Sequence, residues 1–229
     1  MSRRTLLMGA AGLSFIPLSR GALARSAAMG DDFRNGLAQW DVEAEAPARV
    51  AAKDGVLDID TPEGVTLWFR RRLTGPVRID YDVMAVAEGG ANDAVSDVNA
   101  FWMAHEAGGG AALRKRSGAF ADYDDLRTYY VGIGGNRNST TRFRRYVGRR
   151  GNRPLLPEHD RGDPPSLLQP NRWTHVRLIA DGRRIAVERD GQGLFALDDR
   201  APYRAGYFGL RTTKSHLRIR DFQVASRAG

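Results

Sequence analysis

Between Thr174 and Leu197 the chain reads THVRLIADGRRIAVERDGQGLFAL, with Asp-Gly at 181–182 and again at 190–191. Asp-Gly suits two-residue hairpin turns, whose central positions need positive φ. The alternating apolar and polar runs around these turns therefore predict a three-stranded meander. The same pattern extends over most of the chain. Strand-like runs are expected at 48–52, 56–59, 65–69, 77–86, 98–104, 126–133, 140–147, 174–180, 184–189, 193–197, 207–211 and 217–224, separated by turn residues. No stretch carries the 3.6-residue apolar period of a helix. Many short strands without helices predict an all-β fold of two packed antiparallel sheets. Segment 149–171, rich in proline yet carrying Leu155, Leu156, Leu167 and Leu168, is expected to be an ordered surface loop packed onto that core.

The first 24 residues, MSRRTLLMGAAGLSFIPLSRGALA, have a basic start, a short apolar stretch and a small-residue ending. That is an export signal, too short and too interrupted to span a membrane. The paired Arg3 and Arg4 predict the twin-arginine type, with an ordinary secretory signal as the alternative. Residues 25–229 then form one domain in a periplasmic or secreted bacterial protein. With no cysteine in the chain, no disulfide holds it. The formal charge is +8, of which about +5 remains after the signal. For an exported protein this argues against nucleic acid and for an anionic polymer as partner.

The densest chemistry lies in RTYYVGIGGNRNSTTRFRRY, residues 127–146. Strand parity puts Tyr129, Val131 and Ile133 on one face and Tyr130, Gly132 and Gly134 on the other. On the returning strand Arg142, Arg144 and Tyr146 share a face, with Phe143, Arg145 and Val147 opposite. One side of this hairpin thus offers phenols and guanidiniums over a glycine floor that a ligand can approach closely. Stacking with paired donors suits a sugar ring that carries a carboxylate.

The phrases DDFRNGLAQWDVE and KDGVLDID, the Asp-Gly meander and the closing GYFGLRTTKSHLRIRDFQV resemble the concanavalin A-like lectin/glucanase superfamily. The resemblance implies a jelly-roll β-sandwich with a concave, sugar-holding sheet. More narrowly, SDVNAFWMA, RSGAFADYDDLRTYYVGIGGNRNSTTRFRRY and RPLLPEHD resemble an uncharacterised bacterial family, domain of unknown function 6250, whose members occur in polysaccharide-degrading bacteria. The resemblance runs from about Asp31 to Val224. The alternating acids of the laminarinase-type relatives have no counterpart here. Asp58 with Asp60 and Asp80 with Asp82 alternate, but as the outward face of early strands.

The expected chemistry is β-elimination on a uronate-containing polysaccharide. Its α-proton becomes removable once the carboxylate is neutralised, a task for Arg or Asn, while His or Tyr moves protons. The jelly-roll alginate and glucuronan lyases resemble this layout, with a Tyr-rich strand, an Arg and a His. Their Tyr-x-Lys-x-Gly-x-Tyr-x-Gln word is echoed in YYVGIGGNRN, with neither Lys nor Gln. The expected catalytic set is His159 or Tyr130 as base, Tyr130 or Tyr146 as acid, and Arg142 and Arg144 on the carboxylate. Asn99, His105, Asn136, Arg145 and Trp102 complete the expected substrate-binding residues. His175, His216 and Trp68 read as structural. The alternatives are a glycoside hydrolase drawing on Glu158, Asp160 or Asp97, and a non-catalytic carbohydrate-binding module. No cofactor is required, although Asp31, Asp32 and Asp221, near the two chain ends, form a candidate structural calcium site.

Overall fold

Along Val56–Phe69 the sequence first alternates and then turns apolar throughout: Leu57 and Ile59 are buried beside outward Asp58 and Asp60, whereas everything from Val65 to Trp68 is buried. One strand covered on one face and then on both has to pass from one layer to another. The computed structural model, which describes residues 29–226, has that architecture. The predicted export signal lies outside the described residues.

The strands are β1 (Met29–Asp31), β2 (Trp40–Ala44), β3 (Arg49–Lys53), β4 (Val56–Phe69), β5 (Leu73–Thr74), β6 (Val77–Ala85), β7 (Val98–Glu106), β8 (Leu126–Gly134), β9 (Thr140–Val147), β10 (Asp160–Arg161), β11 (Thr174–Asp181), β12 (Arg184–Arg189), β13 (Gln192–Asp198) and β14 (Ala205–Ser226). All pair antiparallel in one curled, hydrogen-bonded network. The fold class is all-β and of the jelly-roll type. β4 and β14 run side by side through both layers, with an irregular register between Thr213 and Ser215 where they cross. The back layer orders β3, β4, β14, β6, β11, β12 and β13. The front layer orders β2, β4, β14, β7, β8, β9 and β10.

The twelve expected runs all fall on strands. Four of them merge into β4 and β14, because the turn residues between them lie on crossing strands instead of in hairpins. The short β1, β5 and β10, and β2, carry too little alternation to be read in advance. The loop 149–171 packs down at its second leucine pair, where Leu168 is buried and Arg189 donates to the carbonyls of Ser166 and Leu167, whereas Leu156 of the first pair stays exposed because the chain there runs outside the front layer's edge.

Between the layers lies the main core. Its densest part is aromatic: Phe222 lies 5.1 Å from Trp40, 5.0 Å from Phe69 and 5.0 Å from Phe208 between ring centroids. The Trp40 indole donates to Asp31 at 2.8 Å, which ties β1 to this cluster. Outside the core, the back layer's acids are matched by bases. Asp58 and Asp60 meet Arg49, and Asp58 also meets His216. Asp80 and Asp82 meet His175, and Asp80 also meets Arg177. Among the described residues no helix is long and apolar enough to cross a membrane.

Phe222→Ala leaves a cavity where four rings converge. It is expected to cost about 3–5 kcal/mol, read as a lower urea midpoint with an unchanged slope.

Candidate functional site

The pairing register across the front layer aligns side chains from six strands. Thr66 of β4 faces Arg211 of β14, which faces Asn99 of β7, then Gly132 of β8, Arg142 of β9 and Asp160 of β10. The adjacent row runs Trp68, Gly209, Phe101, Tyr130 and Arg144. Alternation along each strand points these residues away from the core. Over the β7–β9 end of this face opens a groove of about 750 Å³.

The rest of the face is covered by a strap, residues 107–125. Leu113, Phe120 and Tyr123 from the strap pack on Trp68, Phe101, Tyr130 and Tyr146 in a second apolar cluster. Glu43 anchors the strap from below: it accepts from the Tyr123 hydroxyl at 2.8 Å, the Trp68 indole at 3.0 Å and the Arg116 backbone at 2.7 Å. The buried Arg116 guanidinium closes the strap on itself through Glu106 at 2.9 and 3.0 Å and Asp125 at 2.9 Å. Burial alone would raise the Glu106 and Asp125 carboxyls, but Arg116 and Arg114 together outweigh it and hold both below the usual carboxylate range.

Five basic side chains line the groove, Arg137, Arg142, Arg144, Arg153 and Lys214, against one carboxylic acid, Asp97. Several of these cations are already engaged. Arg142 binds Asp160 at 2.8 and 3.2 Å, Arg153 binds Asp124 at 2.5 Å, and Lys214 lies 3.6 Å from Glu63. Arg144 donates to the Arg153 carbonyl and has no carboxylate partner among the described residues. Arg137 stands at the rim in a left-handed turn, with φ near 57°. Arg211 is 3% exposed and donates to Thr66 at 2.9 Å and to the Gly118 carbonyl at 2.6 Å. No carboxylate within salt-bridge distance, among the described residues, offsets its charge, and burial pulls its pKa down. Phe120 lies between Arg211 and Arg153, 5.1 and 4.2 Å from their guanidinium carbons.

Tyr130 folds back over its own strand. A Cβ on Gly132 would meet the Tyr130 hydroxyl at 2.7 Å and Asn99 Oδ1 at 2.8 Å. That glycine therefore makes room for the phenol and the amide, not for a ligand's approach to the backbone. The Tyr130 hydroxyl makes no hydrogen bond to the described residues, and Asn99 Oδ1 is buried without a partner. Asn99 Nδ2 reaches toward Asp97 at 3.4 Å. Burial pushes the Tyr130 phenol far up, with Tyr146 and Asp97 adding to the shift against the pull of Arg211 and Arg144. Burial also raises the Asp97 carboxyl, outweighing its bonds from Ser96 and Asn99 and the charge of Arg211.

Of the expected site residues, Tyr130, Arg142, Arg144 and Asn136 line this groove, and Asn99 is buried beside it, paired across the strands with the groove residue Gly132. The others do not. His159 is 4% exposed on the core side, with Nε2 3.0 Å from the Ala196 carbonyl and its ring against Phe143 and Phe195. Parity gave no warning, because the loop carrying His159 folds around the edge of the front layer. Tyr146 shares the groove face but lies fully buried beneath the strap. Arg145 points to the opposite face, bound to Asp199 at 2.7 Å and stacked on Tyr203. His105 sits at the far end of β7, edge-on to Tyr203. Trp102 is a core residue packed on Tyr129 and Phe143. Gly134 packs against Leu168, so it is no part of an open floor. Asp31, Asp32 and Asp221 line one shallow depression, but Asp31 accepts from both Phe33 and Trp40. No group of three or more histidines or acids among the described residues is disposed to hold a metal. Arg211 is the functional candidate that the sequence reading missed. Its signal was parity with Gly209, opposite buried Phe208 and Leu210.

The strap's clamp carries a pH signature. Depressed carboxyls stabilise the fold fully above their unfolded pKa, near pH 4, and cease to do so as pH falls through their folded values. Arg116→Met, which leaves the half-buried Glu106 and Asp125 with Arg114 as their remaining cation, is expected to destabilise the fold at neutral pH by no more than about 3 kcal/mol. The gap between wild-type and variant thermal midpoints should narrow below about pH 4.

Comparison with known proteins agrees with this architecture. A galectin-like protein of unknown function from Bacillus subtilis superposes with a TM-score of 0.60 at 16% identity, over 82% of this chain and 89% of that one. A carbohydrate-binding module, CBM66, also from Bacillus subtilis, gives 0.56 at 11% identity over 82% and 96%. The carbohydrate recognition domain of Emp46p gives 0.54 at 12% identity over 84% and 90%. At these identities the likeness is one of fold. No curated protein matches the chain. Residues 59–222 match the profile of the family described as Domain of unknown function (DUF6250), and the chain belongs to that family.

Proposed function

We propose that this protein is carbohydrate-active, that its groove takes an acidic, uronate-containing polysaccharide, and that it cleaves the chain by β-elimination. The observation that carries the reading is the groove's charge: five basic side chains and one acid around a phenol with a free hydroxyl. Arg144 and Arg211, neither held by a carboxylate, together with Asn99, are the groups to neutralise a uronate carboxylate. Tyr130, kept protonated by burial, suits the role of acid toward the leaving glycosidic oxygen. A sugar-holding role agrees with the carbohydrate-binding folds among the structural neighbours. The signal expected at residues 1–24 would deliver the protein to where such polymers occur.

Elimination is favoured over hydrolysis because the paired acids that glycoside hydrolysis uses are not assembled here. Asp97 lines the groove alone, and Asp160 is held by Arg142. A second reading, a module that binds the same glycan without cutting it, draws on one observation: no histidine among the described residues lines the groove.

Incubation with a panel of uronate polymers separates these. New ultraviolet-absorbing unsaturated ends are expected. Reducing ends without that absorbance indicate hydrolysis, and binding without new ends indicates a module. Tyr130→Phe should lower kcat by about a hundred- to ten-thousand-fold with the fold intact, and Arg144→Ala should chiefly raise KM. Turnover that survives both changes rules the assigned roles out.

A further inference from the structure

Elimination needs a group that takes the α-proton, and with His159 in the core that position is unfilled. Tyr130 cannot readily serve, because burial holds its phenol in the protonated form. Among the described residues the groove is lined by one carboxylic acid, Asp97.

Asp97 stands just before β7 with a left-handed backbone, φ 59°, and its own N–H donates to the Gly134 carbonyl at 3.1 Å. This conformation turns the carboxyl into the groove, which it lines beside Tyr130 and Gly132. Two groups fix its oxygens. The Ser96 hydroxyl, itself buried, makes a short contact with Oδ2, and Asn99 Nδ2 approaches Oδ1. The far end of that same amide, Asn99 Oδ1, is buried, unpartnered and adjacent to the Tyr130 hydroxyl above Gly132. Asp97, Asn99 and Tyr130 therefore form one line along the groove floor, with a proton-holding group at each end and an amide between them.

We propose that Asp97 is the catalytic base of this groove, working opposite Tyr130 as the acid; the proposal rests on the elimination reading. The Asp97 carboxylate takes the proton on the carbon α to the substrate carboxylate. The electron pair of that C–H bond becomes the new C=C bond. The C–O bond to the leaving sugar breaks, and its oxygen takes the Tyr130 proton. The phenolate, far more basic than a carboxylate, then recovers its proton from the Asp97 acid, and both groups return to their starting states. No oxidant, metal or cofactor enters the balance.

Charged groups from every neighbouring element bear on Asp97. Arg211 and Lys214 come from β14, Arg142 and Arg144 from β9, Arg137 from the turn after β8 and Arg153 from the long loop. All are cations, and Arg211 favours the carboxylate. Burial still leaves the carboxyl above its usual range. A carboxylate more basic than an ordinary aspartate is better matched to proton abstraction.

The test uses the whole chain and the uronate polymer on which wild type gives unsaturated ends. Asp97→Asn keeps the side chain's size and its partners. It is expected to lower kcat by about a hundredfold or more with KM within about threefold. Thermal unfolding and binding of the uncut polymer report the fold. Ser96→Ala removes a bond that lowers the Asp97 pKa. It should move the acid limb of the pH–rate profile upward. An Asp97→Asn enzyme that retains its kcat, or one that loses only KM, overturns the assignment. So does an acid limb that Ser96→Ala leaves in place. A wild-type chain that yields no unsaturated ends from any polymer sinks the elimination reading itself, a failure told apart by the wild-type reaction alone.

Discussion

The register between β4, β14 and β7 is the constraint on which the rest of the molecule depends. Thr66, Arg211 and Asn99 stand in one row only because β14 pairs with both neighbours through the same stretch of chain. A slip of one residue would turn Arg211 into the core and Leu210 outward. The aromatic cluster of Trp40, Phe69, Phe208 and Phe222 opposes such a slip, because its rings come from β2, β4 and two separate stretches of β14 and all fill one volume. The packed core thus specifies the order of polar groups on the face it does not touch. That face acquires a groove because the strap covers one end of it and leaves the other open.

Much of this was legible from alternation. The hairpin of β8 and β9 obeys strand parity throughout, so Tyr130, Arg142 and Arg144 were placed on one face from residue order alone. Arg145 shows the limit of ranking by residue type: its parity put it opposite the groove face, and the structure keeps it there, while Trp102, chosen for its ring, packs in the core. His159 failed for another reason. It lies on a loop whose path is set by Phe143, Phe195 and the Ala196 carbonyl, contacts distant in sequence that no local period encodes. Gly132 was read as open floor, yet the space it leaves is filled by Tyr130 from two residues earlier on the same strand. A glycine on a polar face marks close approach, and the pattern does not say by which group.

The strap explains how a sheet surface becomes a poorly hydrated site. Phe120 and Tyr123 remove water from the face, and the consequences appear in the titrating groups around them. Asp97 rises, Tyr130 rises and Arg211 falls, each toward its neutral form as burial demands. In such surroundings a charge 4 Å from a guanidinium interacts by about 4 kcal/mol, against about 1 kcal/mol in bulk water. An arginine there acts more strongly on an anion than the same arginine on an open sheet.

Arg116 and Arg211 make the point within one molecule. Both are buried, at 8% and 3% exposure. Arg116 has Glu106 and Asp125 at hydrogen-bond distance, and its positive charge is spent on fastening the strap. Arg211 has a hydroxyl and a carbonyl, which satisfy donors without cancelling charge. Leaving a buried cation unneutralised costs several kcal/mol, a cost that stability alone gives no reason to retain, since a hydrophobic residue of similar size would avoid it. An incoming carboxylate would recover that cost on binding, and more fully as negative charge builds on it during proton removal. Under the proposed function, a preference for acidic sugars would reside less in the exposed arginines of β9 than in Arg211 beneath the strap, which no salt bridge among the described residues holds.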